Sequence, residues 1–173
     1  MEEHEILRRF EKIKRDFGAK CKKLSGSVTI ELLREAFSKQ GVEVSDRDVY
    51  IRGVPIEIDL VFPVRRVKPI SGLIYEPEDV LAAFEIKTIG CFGKKSIDSV
   101  RNCFHRIQSA NPKIYCAYIS LSERAGYKWA ARPENVGADT FTLFWHDGKS
   151  LDRIYTPSGD WTRLIRKLKK LDH

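Results

Sequence analysis

From Leu81 to Gly90 the chain reads LAAFEIKTIG, an apolar strand interrupted by a carboxylate and an ammonium. The two-residue period of a strand puts Glu85 and Lys87 on one face, with Phe84 and Ile86 on the other. Charges in the middle of such a strand are costly unless they are exposed at an edge, paired, or bound to a metal. Asp59 poses the same problem within IEIDLVF. Any fold of this chain has to settle these three groups in one of those ways.

The surrounding elements narrow the choice. Residues 3–23 place Ile6, Leu7, Phe10, Ile13 and Phe17 on one helical face, with Gly18 as an interruption and Lys20, Lys22 and Lys23 as a basic tail. After a break at Ser25-Gly26-Ser27, a second helix is predicted, capped by Thr29 or Ser27, with Leu33, Ala36 and Phe37 as its stripe and Gly41 at its end. DVYIRGVPIEIDLVFP reads as two strands joined near Gly53. In the second, Ile56, Ile58, Leu60 and Phe62 share one face, and Glu57, Asp59 and Val61 the other. Residues 63–79, with three prolines and a glycine, read as a long binding loop or lid. The strand from Leu81 is followed by a helix, KKSIDSVRNCFHRIQSA, with Ile97, Val100, Phe104 and Ile107 facing inward. KIYCAYISLS is then a buried strand and TFTLFW another. His146-Asp147-Gly148-Lys149 is a turn, and DWTRLIRKLKKL is a basic amphipathic helix.

A length of 173 residues predicts a single domain, 1–173. With 42% hydrophobic and 32% charged residues the chain is globular, not disordered. No apolar run approaches the roughly 20 residues of a membrane span, and MEEHEILRRF has no signal-peptide core, so a cytoplasmic protein away from membranes is expected. Lys and Arg total 31 against 24 acids, a net charge of +7 that suits a polyanionic partner, most often nucleic acid, or a basic solvated surface. Cys21, Cys91, Cys103 and Cys116 are too far apart for a zinc knuckle or a redox pair and read as reduced thiols.

An acid two residues before a lysine occurs twice, at Glu85-Ile86-Lys87 and Asp147-Gly148-Lys149, and only the first lies in a strand. One reading of Asp59, Glu85 and Lys87 is a cross-strand salt bridge on a solvated sheet face. The other is chemical. Two carboxylates converging from adjacent strands form a hard oxygen site suited to Mg²⁺, which keeps several waters and binds substrate phosphate. A lysine beside it can orient an attacking water and offset developing charge on phosphorus.

The pattern of Asp59 at the end of the second strand, followed 26 positions later by Glu85-Ile86-Lys87 in the third, resembles the motif of the PD-(D/E)XK nuclease superfamily, with Ile58 where the family name has Pro. The element order over residues 28–121 is similar to its α-β-β-β-α-β core. The resemblance implies a restriction endonuclease-like α/β fold: a mixed central sheet flanked by helices, here with an N-terminal helical arm (1–24) and an added strand and basic helix (138–173). It implies metal-dependent hydrolysis of nucleic-acid phosphodiesters, with DNA as the favoured substrate. Asp59, Glu85 and the Ile86 carbonyl would hold Mg²⁺, or Mn²⁺ in its place, and Lys87 would position the water. A Glu from the first core helix joins the site in many members, and Glu31 and Glu35 both qualify. Glu57 shares the Asp59 face. On the helix after the Glu-x-Lys strand, Lys95 and Gln108 are auxiliary candidates, and Lys94, Lys95 and Arg101 are candidates for contacting nucleic acid.

Other residues carry competing readings. His105 reads as a surface or packed histidine. Tyr75 and Lys68 in the long loop are candidate substrate contacts. Trp129, Trp145 and Trp161 read as core anchors before stacking platforms. A homodimer suits an enzyme that makes two strand cuts, and the helix 160–171 can pack on its own sheet or on a second subunit. Besides the nuclease, two further classes fit the sequence. One is a nucleic-acid-binding or assembly module without catalysis, and the other a basic α/β protein whose carboxylates only pair with lysines. Cleavage that depends on Asp59, Glu85 and Lys87 separates the first from the others.

Overall fold

The computed structural model describes residues 1–17, 22–89, 94–126, 132–147 and 154–171. The strand that carries Glu85 and Lys87 runs Val80–Ile89 (β4), and its residues alternate between two cores. From Ala82 onward, Ala82, Phe84 and Ile86 belong to one and Ala83 to the other, while Val80, beyond the register shift at Phe62/Pro63, joins the core of Ala83. A strand covered on both faces is central, so its backbone groups need strand partners on both sides. On one side β2 (Leu60–Pro63) pairs antiparallel, with Leu60 opposite Phe84. On the other, β5 (Tyr115–Arg124) pairs parallel, with Phe84 opposite Ala117. Next comes β6 (Asp139–His146), parallel to β5, and then β7 (Tyr155–Pro157), antiparallel to β6. The result is a five-stranded mixed sheet in the order β2-β4-β5-β6-β7.

Helices cover both faces. On the Phe84 face lie α1 (Glu3–Phe17), α2 (Lys22–Lys39) and α5 (Asp160–Leu171). Phe37 of α2 stacks on Phe84 with ring centroids 5.8 Å apart and meets Trp161 of α5 at 5.1 Å. The other face is covered by α3 (Lys94–Ala110) and the short α4 (Pro133–Val136). Ile97, Val100, Phe104 and Ile107 of α3 are buried there with Ala83, Cys116 and Tyr118, the inward stripe that its spacing predicted. The fold is therefore the expected α/β arrangement of a mixed sheet between helices.

Several local expectations are corrected. The break at Ser25-Gly26-Ser27 is absent, because α2 runs through it. Gly26 faces open space, and its cost of about 1 kcal/mol in a helix is offset by burial of Ile30, Leu33, Ala36 and Phe37 further along. Thr29 is thus inside the helix, not at its cap, and its hydroxyl meets that of Thr88 at 3.0 Å. Gly41 does end the helix: it takes a φ of 72°, and the next N–H, of Val42, donates to the Phe37 carbonyl at 3.0 Å.

The strand predicted over Ile56–Phe62 breaks at Asp59. Ile58 and Val61 join the α3-side core, while Leu60 and Phe62 join the other, so the alternation slips by one residue at the bend. The first strand of the expected trio leaves the main sheet. It is only Tyr50–Ile51 (β1), and it pairs parallel with Ile74–Tyr75 (β3). The predicted loop 63–79 thus contains a strand and also a 3-10 turn at Pro77–Asp79. Two- and three-residue strands such as β1, β3 and β7 are too short to leave a periodic signal.

Trp161 is a core anchor, 2% exposed, and Trp145 is half-buried. Tyr75 is buried in the α3-side core, which removes it as a substrate contact. Cys103 and Cys116 are free thiols. Gly18, Lys20, Cys21, Gly90, Cys91, Trp129, Gly148 and Lys149 lie outside the described residues. Among the described residues no helix is long and apolar enough to cross a membrane.

Candidate active site

Asp59 owes its position to a hairpin that folds back before β2 starts. Val49 and Ile58 exchange backbone hydrogen bonds of 3.0 and 2.9 Å, Asp48 N–H donates to the Asp59 carbonyl at 3.3 Å, and Gly53 turns the chain with a φ of 81°. Main-sheet pairing begins one residue later, at Leu60. Asp59 therefore sits at the entry of the strand, not at its end. Its side chain replaces the missing strand: Oδ2 accepts the Ile86 N–H at 2.6 Å. In a strand the N–H and C=O of one residue point to the same edge, so the Ile86 carbonyl faces this side as well.

Glu85 and Lys87 project from the α3 face, as the alternation required, and form an ion pair with each other. Glu85 is well covered and Lys87 more exposed, at 18% and 40% of their side-chain surfaces. Burial, and then the charge of Glu85, push the Asp59 carboxyl up to about 6, against the opposing pull of the Ile86 N–H and Lys87. Asp59 and Glu85 are close enough to perturb each other, and Lys87, paired with Glu85, acts on Asp59 as well. Among the described residues no group of three or more His, Cys, Asp or Glu is placed to hold a metal. A closed structural zinc site does not fit such a donor set. A hard divalent ion that takes two carboxylates, a carbonyl, and otherwise water and phosphate oxygens does fit it.

The cleft beside Glu85 has a volume of about 540 Å³. Its walls are the hairpin residues Pro55, Ile56 and Glu57 and a stripe of α3 comprising Ser99, Asn102, Cys103 and Arg106. Those α3 positions recur at three- and four-residue intervals and so share one helical face. Burial first, then the charges of Glu85 and Asp59, push the Cys103 thiol up to about 12, so it remains protonated in the cleft. The arginine and the thiol were not among the sequence candidates. Their signal was available in the polar α3 face flanking the Ile97–Val100–Phe104 stripe, but nothing in a sequence tells a cleft-facing polar position from a solvent-facing one.

The other candidates divide. Glu57 lines the cleft and accepts a hydrogen bond from Tyr50 Oη at 3.3 Å. Glu31 and Glu35 line a larger groove, about 990 Å³, on α2 beside Arg9 and Lys12 of α1, and not the cleft at Glu85. Glu35 pairs with Arg9 at 2.5 Å and Lys39 at 3.2 Å, and the Lys39 hydrogen bond leads in holding its carboxyl below the usual range. Glu31 pairs with Arg34 at 2.8 Å and with Arg47 at 4.0 Å, and Arg47 in turn reaches Asp48 at 3.6 Å. Of the two, only Glu31 is chained toward the segment that carries Asp59. On α3, Arg101 is held by Asp98 at 2.6 Å and borders Gly137 of the α4 turn, away from the cleft lining. Lys94, Lys95, His105 and Gln108 are exposed and outside that lining.

The structure thus has a mixed sheet between helices, with Asp59 and Glu85 meeting where β2 begins beside β4. Solved structures similar to this one include NucC of P. aeruginosa ATCC27853 in its cAAA-bound form, with a TM-score of 0.66 at 12% identity over 97% of this chain and 88% of that one. NucC of E. coli MS115-1 matches in its cAAA-bound form at 0.65 and 12%, over 97% and 87%, and in its apo form at 0.56 and 14%, over 96% and 90%. At these identities the similarity is one of fold. No family model and no curated protein sequence matches the chain.

Proposed function

We propose that the protein is a metal-dependent endonuclease that hydrolyses phosphodiester bonds of nucleic acid, with DNA as the preferred substrate and Mg²⁺ or Mn²⁺ as its ion. The observation that carries this reading is the convergence of Asp59, Glu85 and Lys87 at the edge where β2 begins: the Asp59 side chain is fixed on the Ile86 N–H at 2.6 Å, and Glu85 and Lys87 share one face. The fold similarity to the NucC nucleases and the net charge of +7 support it.

In this reading Asp59, Glu85 and the Ile86 carbonyl hold the ion. When bound, it polarises the phosphate and lowers the pKa of water. Lys87, beside Glu85 on the same face, would hold the attacking water by hydrogen bonding. Arg106, across the cleft on α3, neutralises a non-bridging phosphate oxygen, a role that suits a guanidinium fork. Glu57, at the mouth of the cleft, is an auxiliary acid.

The test is conversion of supercoiled plasmid with Mg²⁺ or Mn²⁺ by wild type and by a folded Glu85→Ala variant. Wild type is expected to nick or linearise the plasmid, and the variant to lose at least about a hundredfold in rate. Salt-sensitive binding by both proteins with cleavage by neither would replace the nuclease with a binding module. Equal cleavage by both would remove Glu85 from the site.

A further inference from the structure

Catalysis as proposed makes no use of the lobe that β1 and β3 build next to the cleft. Segment 64–75, VRRVKPISGLIY, carries Arg65, Arg66 and Lys68 and no acid. Among the described residues five large hydrophobic side chains are exposed, and three of them belong to this lobe: Tyr50 at 37%, Ile70 at 43% and Leu73 at 47%. Their geometry is fixed by backbone bonds. Ile70 and Ile74 exchange hydrogen bonds of 2.7 and 3.1 Å, and Leu73 N–H donates to the Ile70 carbonyl at 3.2 Å. Ser71 and Gly72 between them both have positive φ, 52° and 78°, the pattern of a tight two-residue turn. That turn holds Ile70 and Leu73 out in solvent on a narrow, ordered tip.

The tip is joined to the cleft in two contacts. Tyr50 N–H donates to the Leu73 carbonyl at 2.9 Å, and the hydroxyl of the same tyrosine donates to Glu57, which lines the cleft with Glu85. A polyanion seated on Asp59 and Glu85 therefore has this lobe as its neighbour. Exposed Arg66 and Lys68 match the charge of a phosphate backbone. Exposed apolar side chains on a two-residue tip suit the minor groove, roughly 6 Å wide, which does not admit a helix but takes Ile and Leu as wedges against sugars and base steps.

We propose that the lobe of residues 64–75, together with Tyr50, is the duplex-contacting arm of the molecule. Arg66 and Lys68 engage phosphates, and Ile70 and Leu73 enter the minor groove beside the scissile position. The placement beside that position rests on the nuclease reading; the contact with duplex does not.

The experiment is fluorescence anisotropy with a labelled mixed-sequence DNA duplex in EDTA across a salt series. It uses the full chain, an Ile70→Ser/Leu73→Ser variant and an Arg66→Gln/Lys68→Gln variant. The apolar variant is expected to bind about tenfold more weakly with an unchanged salt slope, and the charge variant to lower the slope by about two. All these side chains are exposed, so unchanged melting confirms that the variants are folded.

If wild type shows this binding but cleaves no plasmid, the nuclease reading fails and the arm stands. If wild type cleaves in a Glu85-dependent way while both lobe variants bind within twofold of it, the arm fails and the nuclease stands. Absence of duplex binding by wild type overturns the arm. So does a sedimentation result in which the apolar variant dissociates an oligomer while keeping wild-type duplex affinity, since the tip would then serve self-association.

Discussion

Replacing Asp59 with Asn tests the electrostatics of the site in the metal-free protein. The folded state raises the carboxyl from 3.8 to about 6, mainly by burial and then by Glu85. A folded-state pKa above the unfolded one means that the native state binds the proton more tightly. The protonated carboxyl therefore costs nothing at about pH 4, and the ionised one costs stability as pH rises through about 6. At about 1.4 kcal/mol per tenfold change in proton affinity, the cost at pH 8 reaches about 3 kcal/mol. In Asp59→Asn the amide oxygen still accepts the Ile86 N–H, and the amide N–H₂ can donate to Glu85, so the hydrogen bond is kept and the charge is lost. Urea denaturation in EDTA should find the variant more stable than wild type by about 1–3 kcal/mol at pH 8, with the gap closing toward pH 4. Added Mg²⁺ should then stabilise wild type by mass action and leave the variant nearly unchanged. A variant no more stable than wild type at pH 8, or a gap that ignores pH, would falsify this account.

Two further outcomes follow from the packing around the site. Arg106→Ala should raise KM for duplex substrate about tenfold with kcat within about threefold, as expected for a phosphate contact made equally in ground and transition states; steady-state kinetics reporting a kcat loss alone would contradict this. Trp161→Ala should cost about 3–5 kcal/mol by chemical denaturation, because the indole is 2% exposed, packs 5.1 Å from Phe37 and donates its N–H to the Met1 carbonyl at 3.0 Å; a loss under about 1 kcal/mol would mean that α5 is not anchored there.

The parts of the fold that were legible in the sequence are those whose side chains repeat. Strand alternation assigned Phe84 and Ile86 to one face of β4 and Glu85 and Lys87 to the other, and helical spacing found the buried stripe of α3. Asp59 was recognisable as chemistry, but not as the residue just before main-sheet pairing begins. Its carboxylate takes over a backbone hydrogen bond, and alternation cannot register that exchange. The choice between Glu31 and Glu35 was closed to sequence because one helical turn separates them. In the structure that turn decides whether the partner comes from α1 or from the segment leading to Asp59. Arg106 was missed because a polar helix face carries no record of what lies across from it.

Residues 64–79 leave and re-enter the sheet between Pro63 and Val80, which are themselves a register pair. The pairing of β2 with β4 is complete without anything in between, and closing a longer surface loop adds only about 0.6 kcal/mol per doubling of its length. Insertions or deletions at the tip can therefore change which surface the molecule meets without moving Asp59 relative to Glu85. Selection can revise the surface of the tip and leave the relation of Asp59 to Glu85 in place, like a tool with an exchangeable head.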